Sequence, residues 1–122
     1  MTTEEIIQGL TDFISEIKAD NNGELIVISL LPIRQTYPWS TWYPVINNEI
    51  PVVNAGLLKF CKQNNISYID SYSQFADENG VMREDLSDDG VHPNQNKGYA
   101  VLINLINSEL EKINQSECTN YQ

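Results

Sequence analysis

Histidine occurs once in these 122 residues, at His92, and cysteine twice, at Cys61 and Cys118. One histidine excludes a His-rich metal centre, and two cysteines in unlike settings exclude a disulfide framework or a cysteine-ligated zinc site. Cys61 falls in a helical pattern and Cys118 in a polar tail, so both are expected as free thiols. Basic residues are also scarce. Seven Lys and Arg against seventeen Asp and Glu leave a formal charge of −10. That balance argues against nucleic acid and against an anionic membrane surface, both of which attract basic proteins. No apolar run approaches membrane-spanning length, and Met1-Thr2-Thr3-Glu4-Glu5 lacks the basic flank and apolar stretch of a signal peptide. The chain is expected to be soluble. Its compartment stays open, cytoplasmic by default and secreted if a signal precedes these residues.

The length suits one small domain. Thr2 and Glu5 have capping-box spacing, and Ile6, Ile7, Leu10, Phe13, Ile14 and Ile17 recur every three or four residues, which predicts an amphipathic helix. Asp20-Asn21-Asn22-Gly23 should end it. Leu25 to Leu31 is a nearly unbroken apolar run, expected as a strand buried on both faces of a parallel sheet. Residues 32–48 hold Tyr37, Trp39, Trp42 and Tyr43 with Pro38 and Pro44, and predict a structured loop. Loops leaving the carboxyl ends of strands line the ligand crevice of α/β sheets. Tyr37 and Trp39 therefore either wall a substrate pocket or simply pack against their own domain.

Pro51 suits a first helical turn, and Ile50, Val53, Leu57, Phe60 and Cys61 predict a second helix ending at Gln63-Asn64-Asn65. Ile66 to Asp70 is a second strand. Strand, helix, strand implies a right-handed crossover between parallel strands. Residues 71–90 are turn-rich, with Val81-Met82 as an apolar anchor. A last helix is expected from about Pro93-Asn94, burying Tyr99, Leu102, Leu105, Ile106, Leu110 and Ile113. The division is thus a domain at 1–114 and a polar, disordered tail at 115–122.

Asp89 and His92 lie on a Gly-containing turn that runs into this helix. That spacing can set a carboxylate beside an imidazole and hold the ring in one tautomer, as a general base requires. Asp85, Asp88, Asp89 and His92 are also metal-capable types, but their spacing matches neither an EF-hand nor a zinc site, and neither metal nor cofactor is expected.

Asp89-Gly90-Val91-His92-Pro93-Asn94 followed by Gly98-Tyr99 resembles the last conserved block of the SGNH/GDSL hydrolases, serine esterases and acylhydrolases with a flavodoxin-like fold. Thr2 to Ile7, Ser29-Leu30-Leu31-Pro32, Tyr37-Pro38-Trp39 and Ile66 to Asp70 are similar to the second half of the acetylhydrolase branch. The resemblance implies an α/β chain forming part of a flavodoxin-like three-layer fold, with two parallel strands and about three helices. It also implies His92 as general base and acid, and Asp89, rather than the adjacent Asp88, as its orienting carboxylate. The family's Gly-Asp-Ser nucleophile and Gly-x-Asn-Asp oxyanion motif do not occur in residues 1–122. Ser29, Ser40, Ser71, Ser73 and Ser87 sit in no such context. The expected function is the C-terminal portion of a hydrolase of small esters, lipid or acylated carbohydrate, inactive alone. The alternative is a non-catalytic remnant acting as a binding or assembly module. In either case the strand at 25–31 would expose an unpaired edge and favour self-association.

Overall fold

A computed structural model describes residues 2–21, 23–34 and 43–120, with side chains for the same residues except 43 and 116–120. Helix α1 (Thr3–Asp20) starts where Thr2 Oγ1 accepts the Glu5 amide at 3.1 Å. The Glu5 carboxylate returns to the Thr2 hydroxyl rather than to the Thr2 amide, so half of a reciprocal capping box forms. Its end is closed by Asn21, which is extended rather than left-handed and whose side chain donates to the Ile17 carbonyl.

Strands β1 (Ile26–Ile28) and β2 (Ser67–Ile69) pair in parallel, with Ile26 opposite Ser67 and Ile28 opposite Ile69. Helix α2 (Tyr43–Gln63) connects them. It begins earlier than the sequence implies. Pro44 occupies the first turn, where its missing N–H is harmless, and Pro51 lies inside the helix on an exposed position. Residues 43–48 are therefore helix and not loop. The other end agrees with expectation: Asn65 takes the left-handed conformation at φ 56°, and the Ile66 amide returns to the Cys61 carbonyl at 2.9 Å.

Helices α1 and α2 pack together, and a first core joins Ile14, Val53, Leu57, Cys61 and Ile66 to Val27 and Tyr68 of the sheet. Burial raises the Cys61 thiol above its ordinary pKa. Phe13, predicted for this core, is 59% exposed. It sits at the edge of the helical stripe and is not among the residues of that core.

The other face carries the one-turn helix α3 (Tyr72–Phe75) and the long helix α4 (Gly98–Asn120), which contacts β2. A second core of Phe75, Met82 and Leu86 packs with Leu31, Val101 and Leu102. Met82 anchors the turn as expected. α4 starts at Gly98 rather than near Pro93, and Tyr99 and Leu110, predicted to be buried, are exposed along with Ile103.

β1 is shorter and wetter than a strand buried on both faces. Ile28 and Leu30 are 39% and 38% exposed, because the described sheet holds two strands and β1 has a neighbour on one side only. Pairing to β2 continues through the Ser29 amide on the Ile69 carbonyl. The edge then stops. Asn54 of α2 accepts the Leu30 amide at 2.8 Å and donates to the Leu30 carbonyl at 3.0 Å, as a neighbouring strand would. Asn47, two turns earlier on α2, holds both backbone groups of Ile33 in the same way.

Candidate active site

The loop between α3 and α4 is suspended from the second core. Buried Leu86 fixes its start, and the Leu86 carbonyl accepts the Asn94 amide at 2.8 Å. Asn94 in turn accepts the Lys97 and Gly98 amides on its side-chain oxygen, which launches α4. Gly98 passes so close to Leu86 and Pro93 that a Cβ there would meet the Leu86 carbonyl oxygen and lie 2.8 Å from Pro93 Cα. Both ends of the loop are thereby pinned.

Between them the chain turns at Gly90, whose φ of 83° favours glycine. Ser87 Oγ accepts the Gly90 amide at 2.9 Å and donates to Asp89 Oδ1 at 3.2 Å. The same oxygen of Asp89 accepts the Val91 and His92 amides, each at 2.8 Å. Its other oxygen lies 2.7 Å from His92 Nδ1. The His92 main-chain N–H first, then the ring and the Val91 amide, hold the Asp89 carboxyl well below the usual carboxylate range. An ionised carboxylate only accepts, so Nδ1 carries a proton, and in the neutral ring it is Nε2 that presents the lone pair. His92 makes this one ring hydrogen bond among the described residues, and its side chain is 75% exposed.

Asp88, the rival orienting residue, accepts from the Asn94 amide group at 3.3 Å, and its carbonyl faces Arg34. Asp85 is taken by Arg83, at 2.7 Å, which lowers its pKa. No group of three or more His, Cys, Asp or Glu side chains that could hold a metal occurs among the described residues. A depression of about 270 Å³ lies over the site, lined by Asp88, Asp89, His92, Pro93, Asn94, Gln95 and Tyr99. Tyr99 is the member that helical periodicity misassigns to the core. Its position directly after the Gly98 approach, at the helix start, is the signal that it faces the loop. A larger depression of about 430 Å³, between α2, β2 and α3, contains neither Asp89 nor His92.

Of the five serines weighed from the sequence, four are committed elsewhere. Ser71 Oγ donates to the Ser29 carbonyl at 3.1 Å, and Ser29 Oγ, 3.0 Å from Ser71 Oγ, accepts the Tyr72 amide. Ser73 donates to Asp70 at 2.6 Å, and Ser87 is buried beneath Asp89. Ser40, Tyr37 and Trp39 lie outside the described residues.

A loop that fixes an Asp–His pair in one tautomer, ahead of a helix and beyond a parallel strand pair, invites comparison with known hydrolases. Residues 1–101 match the model of the GDSL-like lipase/acylhydrolase family. The chain belongs to that family. Among solved structures it is similar to a Bacteroides fragilis protein assigned as an acylhydrolase, at TM-score 0.79 and 26% identity over 92% of this chain and 53% of that one. A GDSL-like lipase from Bacteroides thetaiotaomicron gives TM-score 0.77 and 25% identity over 92% and 54%. The esterase domain of a zebrafish retrotransposon ORF1 protein shares the fold, at TM-score 0.62 and 14% identity over 95% of this chain and 61% of that one. The chain thus spans about half the length of the two bacterial structures. No curated protein matches it. The α/β class and the parallel pair expected from sequence agree with this family's fold. Among the described residues no helix is long and apolar enough to cross a membrane.

Proposed function

We propose that this chain supplies the acid–base half of a serine ester hydrolase, with His92 as base and acid and Asp89 as its orienting carboxylate. The observation that carries the reading is the 2.7 Å contact from Asp89 to His92 Nδ1, which leaves Nε2 open above a depression. A serine hydroxyl presented at Nε2 gives up its proton to the ring as Oγ attacks the ester carbonyl. The imidazolium, held by Asp89, then protonates the departing alcohol from Nε2, and water repeats the sequence to release the acid. The family supports a small ester as substrate.

The nucleophile and the oxyanion donors come from a segment other than the one described here, which leaves the chain alone inactive. The commitment of Ser29, Ser71, Ser73 and Ser87 to other partners supports this. The test is a fluorophosphonate serine probe applied to the folded chain and read by intact mass. No adduct is expected. An adduct that disappears in His92→Ala would mean that a serine of this chain is activated and that the half-site reading is wrong.

A further inference from the structure

Arg34 lies 53 and 54 positions before the residues its side chain holds. Its Nη2 donates to the Ser87 carbonyl at 3.1 Å and to the Asp88 carbonyl at 3.3 Å. Its main-chain amide donates to the Gly90 carbonyl at 2.9 Å. The α-carbon of Gly90 is pressed against it as well: a Cβ at Gly90 would lie 3.1 Å from both Arg34 Cβ and Arg34 O. One residue therefore grips the turn at 87, 88 and 90, on either side of the Asp89 carboxylate.

Arg34 is itself anchored. The preceding residue, Ile33, has both backbone groups bonded to Asn47 of α2, and its carbonyl also accepts the Met82 amide at 3.3 Å. A continuous chain of hydrogen bonds runs from α2 through Ile33 and Arg34 into the loop. Arg34 Nη1 is buried without a hydrogen-bond partner among the described residues. The loop carbonyls thus hold part of the guanidinium inward, away from bulk solvent.

We propose that Arg34 is a positioning residue for His92: by fixing the Ser87, Asp88 and Gly90 carbonyls it sets the Asp89 turn, and through it the single tautomer of the imidazole. The inference rests on reading Asp89 and His92 as the acid–base pair, and deepens it. Arg34 acts through its hydrogen bonds to the turn and not by pairing with the Asp89 carboxylate. It reaches neutral carbonyl oxygens, and the groups that hold the Asp89 carboxyl low are His92, Val91 and Ser87.

His92 is the sole histidine, so its ring reports without ambiguity. The experiment is nitrogen-15 NMR of histidine-labelled chain at a pH where the ring is neutral, following the tautomer and the exchange of Nδ1–H in wild type, Arg34→Met, Arg34→Lys and Asp89→Asn. Wild type should show Nδ1–H alone. In Arg34→Met, folded by circular dichroism, the ring should become a tautomer mixture with exchange about tenfold faster, the scale of losing one charge-assisted hydrogen bond. Arg34→Lys, which keeps the cation and most of the stem, should fall between the two. An unchanged tautomer and exchange rate in folded Arg34→Met overturns the proposal. Should that variant not fold, exchange in Arg34→Lys at the wild-type rate overturns it equally. A wild-type ring in Asp89→Asn would instead defeat the acid–base reading itself, which separates the two failures.

Discussion

Asp89 accepts four hydrogen bonds, from Ser87 Oγ, the Val91 and His92 amides and the His92 ring, although its side chain is 54% exposed. These bonds favour the ionised form, so the folded pKa lies below the unfolded one and protonation costs the folded state more than the unfolded chain. The stabilisation is complete above the ordinary carboxylate range and is lost as pH falls through the lower folded value. Solvent screens the site, and the effect should be modest. Urea midpoints of wild type and Asp89→Asn should differ near neutrality and converge as the pH is lowered between about 5 and about 1. A gap that widens with acid would contradict the account. Gly98 makes a sterically sharper case. Gly98→Ala forces a methyl against the Leu86 carbonyl and Pro93, and should cost about 2 kcal/mol, the middle of the overpacking range, in urea denaturation. That change should also disturb the loop, since Leu86 and Pro93 bracket Asp89 and His92.

The elements divide by how much of their cause is local. α1, β2 and the end of α2 were legible in the sequence because a Thr cap, a short β-rich run and an Asn in left-handed conformation each act within a few residues. The start of α2 was not. Two prolines seven residues apart, Pro44 and Pro51, both suit a first turn, and local propensity does not choose between them; the helix begins at the earlier one. The Asp89 turn was legible from Asp-x-x-His spacing, whereas Arg34 was not, because its partners are more than fifty residues away. β1 was overestimated for a related reason. An apolar run gives strand propensity, but pairing ends where Asn54 takes the Leu30 backbone. Asn54→Ala should therefore speed hydrogen exchange at the Leu30 amide and cost about 2 kcal/mol, since two hydrogen bonds of about 1 kcal/mol net each are lost. Unchanged exchange at Leu30 would show that the clamp does not hold the edge.

At the scale of the whole molecule, apolar side chains remain uncovered on both sides of the sheet. Cys61 is fully buried between the packed helices, yet Phe13, Val45 and Val52 of α1 and α2 are exposed, as are Ile28 and Leu30 of the β1 segment and Tyr99, Ile103 and Leu110 of α4. β1 also offers an edge without a strand neighbour among the described residues. An apolar strand edge that carries exposed Ile28 and Leu30 favours pairing with another strand, and for the isolated chain the available strand is that of a second copy. Because Asn54 already occupies Leu30, the shared edge is limited to the residues around Ile26 and Ile28, which predicts a weak, concentration-dependent dimer instead of an extended ladder. Sedimentation velocity should show the mass rising with concentration. Ile28→Lys, which puts a charge on that face without touching the Asp89 turn, should return the chain to monomer at the same concentrations. A wild-type chain that stays monomeric throughout would leave the β1 edge without the role argued for it, whereas an Ile28→Lys chain that still dimerises would move the interface to another face.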